Sequence, residues 1–84
     1  MNKNELINHL RLIYPLFLEH KDKEAEVLFS SLKIVDSQAH LNFPKPLRHI
    51  IWDLHEFLVV GDINQVTDRD QILSNLREIF SEYK

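Results

Sequence analysis

The chain has 84 residues, with 13 acidic and 10 basic side chains, a single glycine and no cysteine. This length suits one small domain, so we predict a single helical domain over residues 1–84 and exclude a disulfide framework. Residues 51–84 carry seven acidic and three basic side chains. That balance argues against a nucleic-acid partner, which requires a basic surface.

No apolar run reaches the roughly 18 residues that span a membrane, and the polar N-terminus is unlike a signal peptide. We therefore expect no membrane association and a cytoplasmic location.

The first predicted helix covers residues 3 to about 20. Asn2 and Glu5 have the spacing of an N-terminal capping box. Apolar residues then recur at helical spacing, namely Leu6, Leu10, Ile13 and Phe17. Pro15 lies on the opposite face, where it removes one backbone hydrogen bond, so we predict that helix 1 is kinked at Pro15 rather than broken.

A second helix is predicted to begin near Asp22, with Asp22 as its N-cap. The third begins at Pro44 or Pro46, where the missing N–H costs nothing, and ends just before Gly61. Its apolar stripe consists of Leu47, Ile50, Ile51, Leu54, Phe57 and Leu58.

The fourth predicted helix has the clearest signature. Thr67 is its expected N-cap, and Asp68 and Asp70 follow in the first turn, where negative charge stabilises a helix. Its buried face is predicted to contain Ile72, Leu73, Leu76, Ile79, Phe80 and Tyr83. Four helices with short connections indicate an all-α fold, a compact antiparallel four-helix bundle.

Trp52, the only tryptophan, falls on the polar face of the third predicted helix. A large aromatic side chain in that position requires a second burial partner. One interpretation packs Trp52 against a second apolar side of helix 1, near Leu12 or Leu16. The other places Trp52 in an interface with another protein, where tryptophan is enriched at the centre. The sequence leaves both interpretations open.

Acidic residues surround Trp52 and recur along the chain. We predict a partner-binding surface made of Trp52, Asp53, Glu56, Asp62, Asp68, Asp70, Glu24 and Glu26. Its electrostatic complement is a basic protein partner. A simpler interpretation is that the negative charge only keeps a small domain soluble.

One pair of residues suggests chemistry. Arg48 and His55 lie almost two helical turns apart and project from the same flank. This spacing resembles the motif of HEPN-type ribonucleases, which are helical bundles whose arginine and histidine act on the scissile phosphate of RNA. The line of His49, Asp53 and Glu56 fits a local surface pair better than a metal site. We therefore predict no catalytic residues, no metal site and no cofactor, and keep RNA cleavage as an alternative.

The C-terminal pattern resembles small helical bacterial immunity proteins, including those paired with colicin D and with contact-dependent growth-inhibition toxins. A two-sided apolar helix at 47–58 is followed by an acidic segment at 61–64 and a capped helix at 67–83. The resemblance implies a non-enzymatic, one-to-one complex with a basic nuclease toxin, whose active site is blocked by carboxylates that mimic phosphates. The alternatives are a helical adaptor or homodimerising module and, second, a HEPN-like ribonuclease.

Overall fold

The regular structure of the chain is helical. A computed structural model describes residues 2–36, 39–61 and 68–83. These ranges contain four α-helices and no strand, which confirms the predicted all-α class. The helices are α1, Lys3–Leu18; α2, Asp22–Ser31; α3, Lys45–Leu54; and α4, Arg69–Glu82. A 3₁₀ turn, Ala39–Asn42, precedes α3, and a π-helical segment, His55–Val60, continues it.

The helices enclose one apolar core. α1 packs against α2 and α4, α3 packs against α4, and the π-helical segment packs against α2. The predicted stripes of α1 and α4 are the buried ones, and they include Leu6, Leu10, Ile13, Phe17, Ile72, Leu76 and Ile79. The radius of gyration is 11.7 Å, close to the roughly 12 Å expected of a compact domain of this length. No helix in the described ranges is long and apolar enough to cross a membrane.

The start of α1 follows the capping prediction with one difference. The Asn2 side-chain oxygen accepts a hydrogen bond from the backbone N–H of Glu5 at 2.9 Å. The Glu5 carboxylate accepts from the Asn2 side-chain amide at 3.1 Å, whereas a standard capping box uses the backbone N–H of the cap residue. Pro15 lies inside the continuous helix α1, and the kink at Pro15 stays a prediction.

Two predicted helix caps are wrong. Asp22 is the first residue of α2 rather than its N-cap, and Lys21 occupies the cap position without a side-chain hydrogen bond. The Asp22 carboxylate binds the guanidinium of Arg69 instead, because two charge-assisted hydrogen bonds outweigh one bond to a backbone N–H. In α4 the cap is Asp68, whose side chain accepts from the N–H of Gln71 at 2.8 Å. The predicted cap, Thr67, lies outside the described residues, and aspartate is the better N-cap of the two.

The third helix has the predicted extent but changes its geometry. α3 continues without a break into the π-helical segment, where the N–H of Gly61 donates to the carbonyl of Glu56 at 3.0 Å. A bond over five residues widens the turn relative to an α-helix. Gly61 then closes the segment with φ of 68°, a left-handed conformation that glycine adopts without steric cost.

A single arginine joins three helices and the π-helical segment. Arg69, at the start of α4, donates two hydrogen bonds to the Asp22 carboxylate at 2.7 and 2.6 Å, and a third to the carbonyl of Phe17 at 3.0 Å. Its guanidinium also lies 4.6 Å from the ring of Phe17 and 5.0 Å from that of Phe57. We call these four residues the Arg69 cluster. It brings the N-termini of α2 and α4 to the C-terminus of α1.

The Arg69–Asp22 pair makes stability depend on pH in a defined direction. Hydrogen bonding to Arg69 holds the pKa of Asp22 below its usual range. The pair therefore stabilises the fold above the ordinary carboxyl pKa of about 3.9, and this contribution is lost as the pH falls through the lower folded-state pKa. We expect Asp22→Asn to lower the free energy of unfolding by about 1 kcal/mol at pH 7, since the carboxylate is partly exposed.

Urea denaturation at several pH values checks this expectation. The difference between wild type and Asp22→Asn is expected to stay constant from pH 8 to 5 and to shrink below pH 4, as Asp22 becomes neutral. Glu78→Gln is the matched control, because Glu78 is an exposed acid of α4 that forms no salt bridge with any described residue. A difference that persists unchanged at the lowest pH at which the wild type folds would contradict the assignment.

Candidate functional site

Trp52 lies at the surface between two histidines. The side chain is 42% exposed. Its ring packs edge-to-face with His40 of the 3₁₀ turn, at a centroid distance of 5.3 Å, and with His55 of the π-helical segment, at 5.6 Å. His40 is buried, and its Nδ1 lies 3.1 Å from the carbonyl oxygen of Ile34. The indole is thus supported on two sides while much of its surface remains open to solvent.

The packing of Trp52 against helix 1, near Leu12 or Leu16, stays one of two interpretations. Leu12 is 57% exposed, and Trp52 finds its aromatic neighbours elsewhere. The reason is topological. α1 packs against α2 and α4, whereas the 3₁₀ turn packs against α3 and supplies His40. Trp52 accordingly contacts an element that the helical pattern did not reveal.

A small groove opens beside His55. It lies between the C-terminal end of α2 with its following segment and the π-helical segment, and has a volume of about 120 Å³. The walls combine apolar and charged side chains, and they are formed by Phe29, Ser30, Lys33, Ile34, Val35, Asp36, His55 and Val59. Ligand pockets for cofactor-sized molecules measure about 300–1,000 Å³, so this groove suits a single protruding side chain. We call Trp52, His55, Val59 and this groove the Trp52 surface.

The acidic residues predicted around Trp52 separate into different positions. Asp53 is half-buried, and burial raises its pKa, an effect that the nearby His49 partly offsets. His49, one turn before Asp53, lines a second groove, between α3 and α4. Glu56 is exposed one turn after Trp52. Asp62 lies outside the described residues.

The remaining predicted acids lie on α2 and at the start of α4. Glu24 and Asp70 are exposed in the first turns of their helices, where they also stabilise the helix macrodipole. The Asp68 carboxylate is engaged as the cap of α4. Glu26 is half-buried on α2. The structure therefore does not gather the predicted acids around Trp52.

Sequence reasoning missed two residues of the site. Asp36 follows α2 and lines the groove next to Val59, and His40 supports the indole. Neither has a periodic relationship to Trp52, because each comes from a connection between helices. The one available signal for His40 is its place in a short segment just before Pro44.

The Arg48 and His55 pair occupies the same flank of the helix as Trp52. His55 is in ring contact with Trp52. The Nε of Arg48 is buried and has no hydrogen-bond partner among the described residues. Among the residues that the structure describes, no group of three His, Asp or Glu side chains is arranged to hold a metal ion.

Comparison with known proteins gives no match. No protein-family model, no curated protein and no solved structure is similar to this chain.

Proposed function

We propose that this chain is a non-catalytic immunity protein that binds a basic nuclease toxin in a one-to-one complex through the Trp52 surface. The observation that carries the proposal is an exposed tryptophan held between two rings. Interface hot spots are enriched in tryptophan and lie next to pockets that exclude water. Trp52 is exposed, and its neighbour His55 lines a groove on the same surface.

The support of Trp52 by His40 and His55 favours binding in a second way. A side chain that is already ordered loses little conformational entropy when a partner covers it. Aromatic pairs in edge-to-face contact contribute about 0.5–1.5 kcal/mol each to such ordering. The indole is therefore presented in a defined orientation before any partner arrives.

Charge supports a basic partner. The net charge of the chain is −3. Glu24, Glu56 and Asp70 are exposed and form no salt bridge with any residue in the described ranges. Unpaired surface carboxylates accelerate association with a basic protein and make its rate depend on salt. We place these acids, with Asp53, Asp62, Asp68 and Glu26, in the long-range field that attracts the partner rather than in one contact patch.

We extend the proposal to the arrangement of the helices. We propose that residues 1–84 form one domain, an antiparallel four-helix bundle in which α3 and the π-helical segment act as one long helix. We place the predicted kink of α1 at Pro15, because proline cannot donate the backbone hydrogen bond of an inner helical turn. The proposed location is the cytoplasm of a bacterium, where an immunity protein would meet its toxin.

The test is protection of cells by co-expression. The protein encoded next to this chain is expressed from an inducible promoter, with or without this chain, and colony formation is measured. We expect the neighbouring product to be toxic and basic, and this chain to restore growth. Trp52→Ala should protect less well than the wild type, and Arg77→Ala, a change at an exposed residue of α4, is its matched control and should protect fully. A neighbouring product without toxicity, or toxicity unaffected by this chain, would refute the proposed function.

RNA cleavage by Arg48 and His55 is the second candidate. The observation in its favour is the unsatisfied Nε of Arg48 on the same flank as His55, since buried donors without partners call for an explanation. Purified protein would then cut single-stranded RNA, and Arg48→Ala and His55→Ala would each abolish cutting. Homodimerisation, the other alternative, would appear in sedimentation as a concentration-dependent dimer.

A further inference from the structure

The groove between α3 and α4 is a separate feature, which shares no lining residue with the Trp52 surface. Its volume is about 320 Å³, at the lower end of the range found for small-ligand sites. Pro46, Ile50 and Ile79 supply its apolar lining, and the two isoleucines belong to the buried core. We call this feature the α3–α4 groove.

Side chains of opposite charge line the α3–α4 groove from its two helices. Lys45 and His49 come from α3, one turn apart, and Glu78 and Glu82 come from α4, also one turn apart. None of the four forms a salt bridge with a described residue. The ammonium group of Lys45 and the two carboxylates are therefore available to charged groups of a ligand.

Two of these charges stand at helix ends where they lower the stability of the free protein. Lys45 is the first residue of α3, whose first turn contains no acid. Glu82 is the last residue of α4, whose last turn contains no base. Because a helix is partly positive at its start and partly negative at its end, both placements are unfavourable. Residues that break a local stability rule are typical of functional sites.

We propose that the α3–α4 groove binds a small zwitterion with an apolar body, such as a short peptide of apolar residues. The ligand carboxylate pairs with Lys45 at the start of α3, and the ligand ammonium pairs with Glu82 at the end of α4. The apolar body lies on Pro46, Ile50 and Ile79. A second copy of the chain is a poorer occupant, because two concave surfaces that face each other leave a void. This inference does not depend on binding of a toxin.

Titration of the isotopically labelled full chain with the dipeptide leucyl-leucine, followed by NMR of the backbone amides, tests the site. We expect shifts centred on the first turn of α3 and the last turn of α4, with a Kd of about 1 mM or lower. The N-acetylated and the C-amidated dipeptides each lack one charge, so each should bind at least about 10-fold more weakly. Free leucine keeps both charges, and comparison of its affinity with that of leucyl-leucine shows whether an amino acid or a peptide is the preferred zwitterion.

Substitutions at the helix ends should change affinity and stability in opposite directions. Lys45→Gln and Glu82→Gln are each expected to weaken binding of leucyl-leucine by at least about 10-fold. Each should also raise the melting temperature of the free protein by roughly 2–5 °C, because an unfavourable charge leaves a helix end.

The matched controls carry the same kinds of charge at other helix ends. Lys23→Gln, in the first turn of α2, and Glu19→Gln, at the C-cap of α1, change exposed residues that do not line the α3–α4 groove. Both should leave the affinity for leucyl-leucine unchanged.

Three results would overturn the proposal. The first is the absence of amide shifts at about 10 mM leucyl-leucine, well above the expected Kd. The second is equal binding of the dipeptide and its acetylated or amidated forms. The third is a change in the same amide signals when the ligand-free protein is diluted, which would assign this face to a second copy. Loss of toxin protection by this chain would refute the proposed function and leave these results unaffected.

Discussion

Replacing Trp52 with alanine is expected to weaken binding of the proposed toxin partner by about 30-fold or more, which corresponds to about 2 kcal/mol at a hot spot. The indole is exposed, held by His40 and His55, and adjoins a groove that accepts one side chain. Its removal takes away the largest exposed aromatic side chain beside His55, which lines that groove. Isothermal titration calorimetry measures the change.

A matched variant separates binding from general loss of surface hydrophobicity. Leu12→Ala removes a side chain that is 57% exposed on α1, and it is expected to change affinity by less than twofold. Trp52→Ala should also cost about 1 kcal/mol of stability, because it removes two edge-to-face contacts at a half-exposed position. Circular dichroism would show that the variant still folds. Equal effects of the two substitutions on affinity would contradict a binding surface centred on Trp52.

The second large effect concerns stability. Arg69→Ala is expected to lower the free energy of unfolding by about 3 kcal/mol, since it removes a bidentate ion pair, a hydrogen bond to a backbone carbonyl and two cation–π contacts. The loss is moderated by the partial exposure of Asp22, whose side chain is 41% exposed, because solvent screens an exposed ion pair. For a domain of this size the melting temperature should fall by roughly 12–20 °C.

Two further variants establish that the geometry of the guanidinium matters. Arg69→Lys keeps the charge but cannot form the bidentate pair or stack on both rings, so it should recover less than half of the loss. Arg77→Ala removes an exposed arginine of α4 that donates to the Tyr14 hydroxyl, and it should cost about 0.5 kcal/mol. Urea denaturation measures the free energy of unfolding of the three variants and of the wild type. A similar loss for Arg69→Ala and Arg77→Ala would contradict the role of the Arg69 cluster.

The helices and most of the core were predictable because their signals are local. Apolar residues repeat at helical spacing in α1 and α4, and the same residues are buried in the structure, except that Phe80 and Tyr83 are only partly buried against the core. Asn2 and Glu5 marked the start of α1, and Gly61 marked the end of the third helix. Each of these signals involves residues within a few positions of one another, where sequence spacing determines spatial proximity.

The contacts that define the site were not predictable in this way. Asp22 and Arg69 are far apart in sequence, and their pairing removed Asp22 from its predicted capping role. His40 reaches Trp52 from a 3₁₀ turn, and Asp36 reaches the groove from the segment after α2. Such contacts depend on how helices and connections pack. The acid count of the sequence gives a negative net charge, but it does not predict the composition of the Trp52 surface.

The most direct test of the proposed function is a fluorescence titration of this chain with the purified, inactivated product of the neighbouring gene at pH 7.5. The account predicts that Trp52 emission shifts to shorter wavelength as the indole becomes buried, and that the change saturates at one partner per chain. It also predicts an association rate that falls as salt increases. Tight binding with no change in Trp52 emission, or no binding at all, would contradict the central claim.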